Sequence, residues 1–377
     1  MVKEKGAADS SEYTRYLKQI SNQRLAKSDV DTQQLISSRV SIVSNSPFGQ
    51  SSQNSLLYRF RTLPILTEVE FYIINSVIAD RSSIYGITFD NNGFLYFIES
   101  VANRFNRLNL STGVLTTLIT GSPLNQANGI DFDQSNNCIY IANSSANNIL
   151  RYNLTTSQLD GSPYVGTGLL TPRAVKFFNG LLYICDTGNR RIKTFNGTTL
   201  TTIAGTGSFG FNGDGAASSR AIFPTDLIFV KSTLYFVDNF KSHRIRMLKD
   251  GTITTVAGSA TTNNDGGYSG DGGLATNAQL NSPTGLSYSS ETNSIVFTDS
   301  DNHRIRAVSL STGIITTIAG TGVSGFTGNG GNSLDARLRG PKPVIVYNNN
   351  IYIGDQDSNL TSTIRVLNPR YKTTNYF

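Results

Sequence analysis

The sequence predicts an all-β protein, a six-bladed β-propeller with four-stranded antiparallel blades that follows a partly helical N-terminal arm. Three observations support this: the composition, a segment that recurs six times, and the absence of that segment from positions 1–66. The chain includes 35 Gly, 20 Phe and 17 Tyr, and only 15% of its residues are charged. This composition is typical of short strands and tight turns, and it excludes a coiled coil or a wholly disordered chain.

The recurring segment is an apolar strand that ends in a polar residue, usually an acid, and is followed by a basic strand. The clearest copies read LLYICDTGNRRIKTF (181–195), LYFVDNFKSHRIRML (234–248) and IVFTDSDNHRIRAV (295–308). The distance between successive copies suits the blades of a propeller. The aligned polar position is occupied by Glu99, Asn143, Asp186, Asp238, Asp299 and Asp355.

Each copy is flanked by two further strand signals, which makes four strands per unit. An apolar stretch, often after Pro, precedes it, and a turn with a TTIAG-like strand follows it. Extra length lies between units, at 205–224, 258–283 and 320–341. Insertions in repeat folds gather on one face, so we expect these connections there.

The pattern TIAGxG, GDGG, apolar strand, LYxxD and NxRIR resembles the NHL repeat. It is most complete at residues 202–248 and 255–306, and the resemblance extends from about residue 80 to 370. The resemblance implies a β-propeller, usually six-bladed, which agrees with the count of six units. It also implies that single-stranded RNA is a candidate ligand, because some NHL domains bind RNA.

The last unit lacks a fourth strand of its own. Residues 68–78, EVEFYIINSVI, precede the first unit and have the composition of a strand. We predict that they form the outer strand of the sixth blade, because an open blade edge would be exposed to pairing. The domain boundaries are therefore an arm at 1–66 and a propeller at 67–377.

The arm has one amphipathic segment, at residues 10–28. Its apolar residues have helical spacing, which predicts a short helix with a surface for interaction; they are Tyr13, Tyr16, Leu17 and Ile20. This helix either packs on its own propeller or docks on another chain, and the sequence leaves both alternatives open.

The strand-end polar residues and the basic residues that follow them predict a structural role. A carboxylate there bonds turn N–H groups or pairs with the Arg of the next strand, as Asp299 would with Arg304. Arg244 occupies the same repeat position as Arg304. The glycine-rich loops lack the alternating acids of a calcium loop, which favours turns packed between blades. These loops contain Asp214, Asp271 and Asn329.

No catalytic constellation stands out, so we expect a protein that is not an enzyme and needs no cofactor or metal. His243 and His303 are the only histidines and share one repeat position, which indicates a scaffold role. The alternative is a metal-dependent hydrolase or lyase on the propeller axis. Of the residues at which the inner strands begin or end, Asp131, Asp133 and Asp226 could face the channel, but no consistent ligand set emerges; the others are Tyr85, Asp90 and Arg173.

The net charge of +6 does not by itself favour nucleic acid. Positions 1–60 hold eight Lys or Arg against five Asp or Glu, so half of the excess lies in the arm. A modest basic cluster in the third and fourth units is the candidate RNA-binding face. It consists of Arg190, Arg191, Lys193, Lys241, Arg244 and Arg246.

These observations predict a non-enzymatic platform for protein–protein interaction, anchored in a larger assembly by its arm. Its partners would be other protein chains, bound by the arm and a propeller face, and the assembly would be a cellular complex or a virus particle. The start of the sequence has no apolar leader, and no stretch suits a membrane span. We therefore expect an intracellular or virion protein.

Overall fold

The structure is a computed structural model, and it describes residues 65–259, 266–356 and 361–374. Glu68–Tyr371 form one compact unit. The predicted arm helix, with Tyr13, Tyr16, Leu17 and Ile20, lies outside the described residues. Within them, 25 strands form six sheets, and the helices are short 3₁₀ turns.

The strands follow one another blade by blade, except that β1 (Ile65–Ser82) belongs to the last blade. The first blade consists of β2 (Ile84–Phe89), β3 (Phe94–Glu99), β4 (Arg104–Asn109) and β5 (Leu115–Thr120). The second consists of β6 (Ile130–Asp133), β7 (Cys138–Asn143), β8 (Asn148–Asn153) and β9 (Gln158–Leu159). The third consists of β10 (Ala174–Phe178), β11 (Leu181–Asp186), β12 (Arg191–Phe195) and β13 (Leu200–Ala204).

The fourth blade carries a short fifth strand at its outer edge. Its strands are β14 (Gly215–Ala216), β15 (Pro224–Val230), β16 (Thr233–Asp238), β17 (Arg244–Lys249) and β18 (Thr252–Ala257). The fifth blade consists of β19 (Pro283–Ser289), β20 (Ser294–Asp299), β21 (Arg304–Ser309) and β22 (Ile315–Ala319). The sixth consists of β23 (Pro341–Tyr347), β24 (Asn350–Gln356), β25 (Thr361–Thr374) and, outermost, β1.

The innermost strands of the six blades close into a ring around a central channel. Each contacts its two neighbours, in the order β2, β6, β10, β15, β19, β23 and back to β2. Residues 68–78, for which the sequence predicted the outer strand of the sixth blade, lie within β1 at that position. The prediction of an all-β propeller with six four-stranded antiparallel blades is confirmed, with β14 as an addition.

A glycine allows neighbouring inner strands to approach closely near the axis. A Cβ atom on Gly129 would lie 2.6 Å from the carbonyl oxygen of Arg173 and 2.8 Å from the Cα of Ala174, in the next blade. Both contacts are backbone atoms of a packed strand, so they cannot move aside cheaply. This explains why NGIDF carries a glycine where a strand would otherwise avoid one.

The apolar core lies between blades rather than in one central mass. Adjacent sheets pack face to face through alternate side chains of their strands. Phe236 and Cys185, for example, belong to the cluster between the third and fourth blades, and Phe297 and Val237 to the cluster between the fourth and fifth. Among the described residues, no helix is long and apolar enough to cross a membrane.

Candidate functional site

The polar side chain at the strand-end position of the repeat binds the backbone of the segment that leads into the same blade. Asp299 accepts hydrogen bonds from the backbone N–H of Asn281 at 2.7 Å and from the Asn302 side chain at 2.9 Å. In the first blade, Glu99 instead pairs with Arg81 and Arg104. The backbone bond recurs at 2.7 or 2.8 Å in the other four blades, from Asn125 to Asn143, Leu170 to Asp186, Phe223 to Asp238 and Arg339 to Asp355.

The arginine that pairs with Asp299 is not the one we expected. Arg304 lies directly opposite Asp299 in the strand register, but its guanidinium donates to the carbonyl oxygens of Asn302 and Thr321. Arg306, two positions later, lies 3.3 Å from the Asp299 carboxylate. The expected Asp299–Arg304 pair is therefore wrong, because the Arg304 side chain turns away from the acid to bond carbonyls of the loops.

The fourth blade repeats this arrangement. Arg246 lies 3.0 Å from the Asp238 carboxylate and has no exposed side-chain surface. The Arg244 side chain is also buried and donates to the carbonyl oxygen of Ser242 at 2.6 Å. The partner of the strand-end acid is thus the second arginine of the RIR motif in both blades.

The glycine-rich loops close over these buried arginines. Asp214 accepts from Arg246 at 2.9 Å, and Asp271 accepts from Arg306 at 2.7 Å. In the sixth blade Asn329 accepts from the equivalent arginine, Arg365, at 3.1 Å. Among the described residues, no group of three or more acidic, His or Cys side chains is placed to bind a metal ion. The loops of the described chain therefore fold around arginine guanidinium groups.

The candidate basic face is divided by the structure. Arg246 and Arg244 are buried, and Lys193 pairs with Asp186 at 2.7 Å. Arg191 donates to the carbonyl oxygen of Thr206. Arg190 and the exposed Lys241 lie instead beside phenylalanine rings.

These rings form an exposed aromatic patch that we did not predict from the sequence. It consists of Phe209, Phe223 and Phe240, whose ring centroids lie 5.3 to 6.3 Å apart. Phe209 and Phe240 are 55% and 46% exposed. The Arg190 guanidinium lies 3.3 Å from the Phe209 centroid, and Lys241 lies 5.7 Å from that of Phe240. The sequence shows aromatic residues in polar turns, in the segments SFGFNGDG and DNFK. It does not show that these rings come together in the fold.

The central channel encloses a cavity of about 280 Å³ between the six inner strands. The residues at the start of these strands, one per blade, form a ring that we call the channel mouth. They are Tyr85, Asn128, Arg173, Thr225, Thr284 and Lys342. The mouth lies on the face that carries the connections between blades, and Arg173 links it to the aromatic patch, 6.0 Å from the Phe223 centroid.

The charged side chains deeper in the channel have partners within the protein. The Lys176 ammonium group donates to the Asp131 carboxylate. Asp226 accepts from the backbone N–H groups of Leu227 and Leu286 at 2.9 and 2.8 Å. Burial raises the pKa of Asp226 to about 6, and these two hydrogen bonds counter part of that shift.

The other acids considered for the axis serve turns instead. Asp133 accepts the backbone N–H of Ser135 at 2.9 Å, and Asp90 accepts those of Asn92 and Phe94 at 2.9 and 3.0 Å. Asp133 was a candidate channel residue, but it ends β6 and its carboxylate bonds the turn that follows. The axis therefore brings together only Asp131 and Asp226 from that set of acids.

The histidines lie directly before the RIR strands, and the cysteines lie within the propeller blades. The His243 Nδ1 atom accepts the backbone N–H of Ser282 at 2.9 Å, which ties the fourth blade to the fifth. His303 has a φ of 53° at the end of a 3₁₀ turn. Cys138 and Cys185 are free and buried, and burial raises the pKa of both thiols.

Comparison with solved structures shows the same fold at low sequence identity. A Bacteroides thetaiotaomicron protein of unknown function is 16% identical with a TM-score of 0.63, over 79% of this chain and 76% of that one. An auxiliary nutrient binding protein from Bacteroides ovatus is 17% identical with a TM-score of 0.60, over 80% and 78%. A streptogramin B lyase is 15% identical with a TM-score of 0.53, over 79% and 98%.

Sequence comparison adds no family to this result. No protein-family model matches the chain, and no curated protein matches it. The structural neighbours are six-bladed propellers, so the fold implied by the repeat is supported while the NHL assignment stays a resemblance.

Proposed function

We propose that the propeller is a non-enzymatic interaction platform that binds another protein through the aromatic patch. The observation that carries this proposal is the contact of three phenylalanine rings from two loops, two of which are about half exposed. Contiguous exposed aromatic surface costs solvation free energy and is enriched at protein-binding sites. The patch lies on the face with the long connections between blades.

The charges beside the patch define the partner's chemistry. Arg190, Lys241 and Arg173 each lie next to one of the rings. Aromatic and arginine side chains together are typical of the residues that dominate binding energy. We therefore propose a partner segment with an apolar anchor flanked by carboxylates, because opposite charges favour encounter and orientation.

A protein partner is better supported than single-stranded RNA. Binding RNA without sequence preference requires a continuous positive groove along which the backbone runs. Three of the six residues of the predicted basic face are buried or paired, namely Lys193, Arg244 and Arg246. Of the remaining cations, Arg190 and Lys241 lie beside the exposed rings, which favours a protein interface.

We further propose that the arm at residues 1–66 anchors the platform in its assembly, whether a cellular complex or a virus particle. Support comes from the amphipathic spacing at residues 10–28. Deleting residues 1–55 should abolish assembly while the propeller still folds. Complex formation that survives this deletion would remove the anchoring role.

The test is site-specific photo-crosslinking with the full chain. Benzoylphenylalanine at position 240 should crosslink one protein, through a segment rich in acidic residues that mass spectrometry can identify. Phe209→Ser in the same chain should reduce that product about tenfold, because the neighbouring ring is lost. Benzoylphenylalanine at the exposed Val114, in the first blade, is the matched control and should not yield the product.

Two outcomes would overturn the proposal. The first is a product at position 240 that ribonuclease destroys, which would assign the patch to RNA. The second is the same set of products at positions 240 and 114, which would show that exposure alone determines capture.

A further inference from the structure

The channel mouth carries more positive than negative charge. Arg173 and Lys342 lie three blades apart in a ring of six, so they face the axis from opposite sides. No carboxylate belongs to the mouth itself. The nearest acid along the chain, Asp226, already accepts two backbone N–H groups. The mouth therefore presents two cations to a small cavity.

Arg173 has no partner of opposite charge within the described part of the chain. Its guanidinium makes no ion pair and no side-chain hydrogen bond there, and it lies 6.0 Å from the centroid of the Phe223 ring. A guanidinium has five N–H donors in a planar fork that matches carboxylate and phosphate oxygens. This side chain is thus a free oxyanion donor at the channel mouth.

Thr225, in the neighbouring blade, has a buried hydroxyl. The residue is 8% exposed and lines the cavity, and its Oγ1 atom has no hydrogen-bond partner among the described residues. Thr284 occupies the same position in the next blade, but its hydroxyl bonds Thr298 and Ser300 at 2.9 and 2.6 Å. The Thr225 Oγ1 atom is itself buried, so it does not reach the cavity, and Arg173 and Lys342 remain the donors at the mouth.

Lys342 retains donor capacity. It donates to the Tyr85 hydroxyl at 2.6 Å and lies 4.2 Å from the centroid of that ring. An ammonium group has three donors, and this hydrogen bond uses one of them. Tyr85 therefore holds the lysine at the mouth without neutralising its charge.

We propose that the channel mouth binds a small carboxylate or phosphate compound. Arg173 holds the anionic group, and Lys342 faces it from the opposite side of the channel. A cavity of about 280 Å³ lies near the lower end for ligand pockets, which suits a small molecule. This site is distinct from the aromatic patch, although Arg173 adjoins both.

The test measures binding of inorganic phosphate and of succinate to the full chain, by isothermal titration calorimetry in low-salt buffer. Succinamide is the uncharged control and should not bind. We expect Arg173→Gln to lower the affinity for the anion about tenfold or more, because a charge-assisted contact is lost. Thr225→Val is a matched control at the mouth and should leave the affinity unchanged, because the buried hydroxyl does not reach the cavity.

Matched variants separate this site from general charge effects. Arg107→Gln, on β4, removes the same charge outside the channel and should leave affinity unchanged. Phe209→Ser, which disrupts the aromatic patch, should also bind the anion normally. Preference for phosphate or succinate identifies the anionic group. The proposal is overturned if neither anion binds, if succinamide binds equally well, or if Arg173→Gln retains wild-type affinity.

Discussion

The guanidinium of Arg306 donates to the carboxylate of Asp271 at 2.7 Å, although the two residues lie in different parts of the sequence. Arg306 is fully buried and also lies 3.3 Å from Asp299. A buried guanidinium requires compensation of its charge, and here one acid comes from a strand end and the other from a glycine loop. The same geometry in three blades makes the loops structural parts of the propeller.

Asp271→Asn should destabilise the protein at neutral pH. Arg306 would keep Asp299 but lose its second carboxylate, which remains partly exposed. We expect the unfolding free energy to fall by about 1 kcal/mol. Burial by itself would raise the pKa of Asp271, but hydrogen bonds from Thr317, Arg306 and Tyr268 hold it below the usual value. Its contribution is therefore present above the unfolded-state pKa and is lost as pH falls through the folded one.

Urea denaturation of both proteins from pH 3 to 8 measures this contribution. The difference in unfolding free energy should shrink as the solution becomes more acidic. A constant difference over that range would show that the carboxylate charge is not what stabilises Arg306.

Asn329→Asp should have the opposite sign. Asn329 takes the place of the acid in the sixth blade and lies 3.1 Å from Arg365. A charged acceptor there strengthens the hydrogen bond, and we expect a gain of about 1 kcal/mol at pH 7. Thermal unfolding in low and high salt measures it, and salt should reduce the gain. No gain in low salt would contradict this prediction.

Gly129→Ala should destabilise the ring. The added methyl would meet the backbone of Arg173 and Ala174 in the next blade. Such overpacking typically costs about 1–3 kcal/mol. Gly161→Ala is the control, because a Cβ there meets nothing within 4 Å. Equal melting temperatures for the two variants would mean that the inner strands can separate without cost.

Asp226→Asn should alter the pH dependence of stability. Burial raises the pKa of Asp226 to about 6, above an unfolded value near 4, so the folded state binds the proton more tightly. Stability from this group is present below pH 4 and is lost as pH rises through 6. Relative to Asp226→Asn, wild type should lose about 2–3 kcal/mol between pH 4 and 7.5. Parallel stability curves would rule out the shift.

Removal of β1 should open the sixth blade. A chain that starts at residue 83 lacks the outer strand beside β25, while a chain that starts at residue 65 retains it. We expect a large fall in melting temperature for the first chain only, because an exposed edge loses its strand pairing and part of the core around Ile74. Equal melting of both chains would show that closure does not depend on β1.

The sequence determined the fold because its signals are local and repeated. Period-two apolar strands, turn residues and strand-end polar residues recur six times, and each predicts the same strand or turn wherever it occurs. The strand at residues 68–78 could be placed for the same reason, since a propeller with a missing outer strand needs one from the other end of the chain.

Only the tertiary structure decided which side chains meet. The sequence does not distinguish Arg304 from Arg306, but Arg304 donates to loop carbonyl oxygens while Arg306 pairs with two acids. Phe209, Phe223 and Phe240 form one patch because the connection into the fourth blade and a turn within that blade fold to the same face. Closure of the ring brings Arg173 and Lys342 to opposite sides of one channel. The local sequence pattern determines where each strand forms. These side-chain contacts depend instead on the conformation of the loops and on the packing of the adjacent blade.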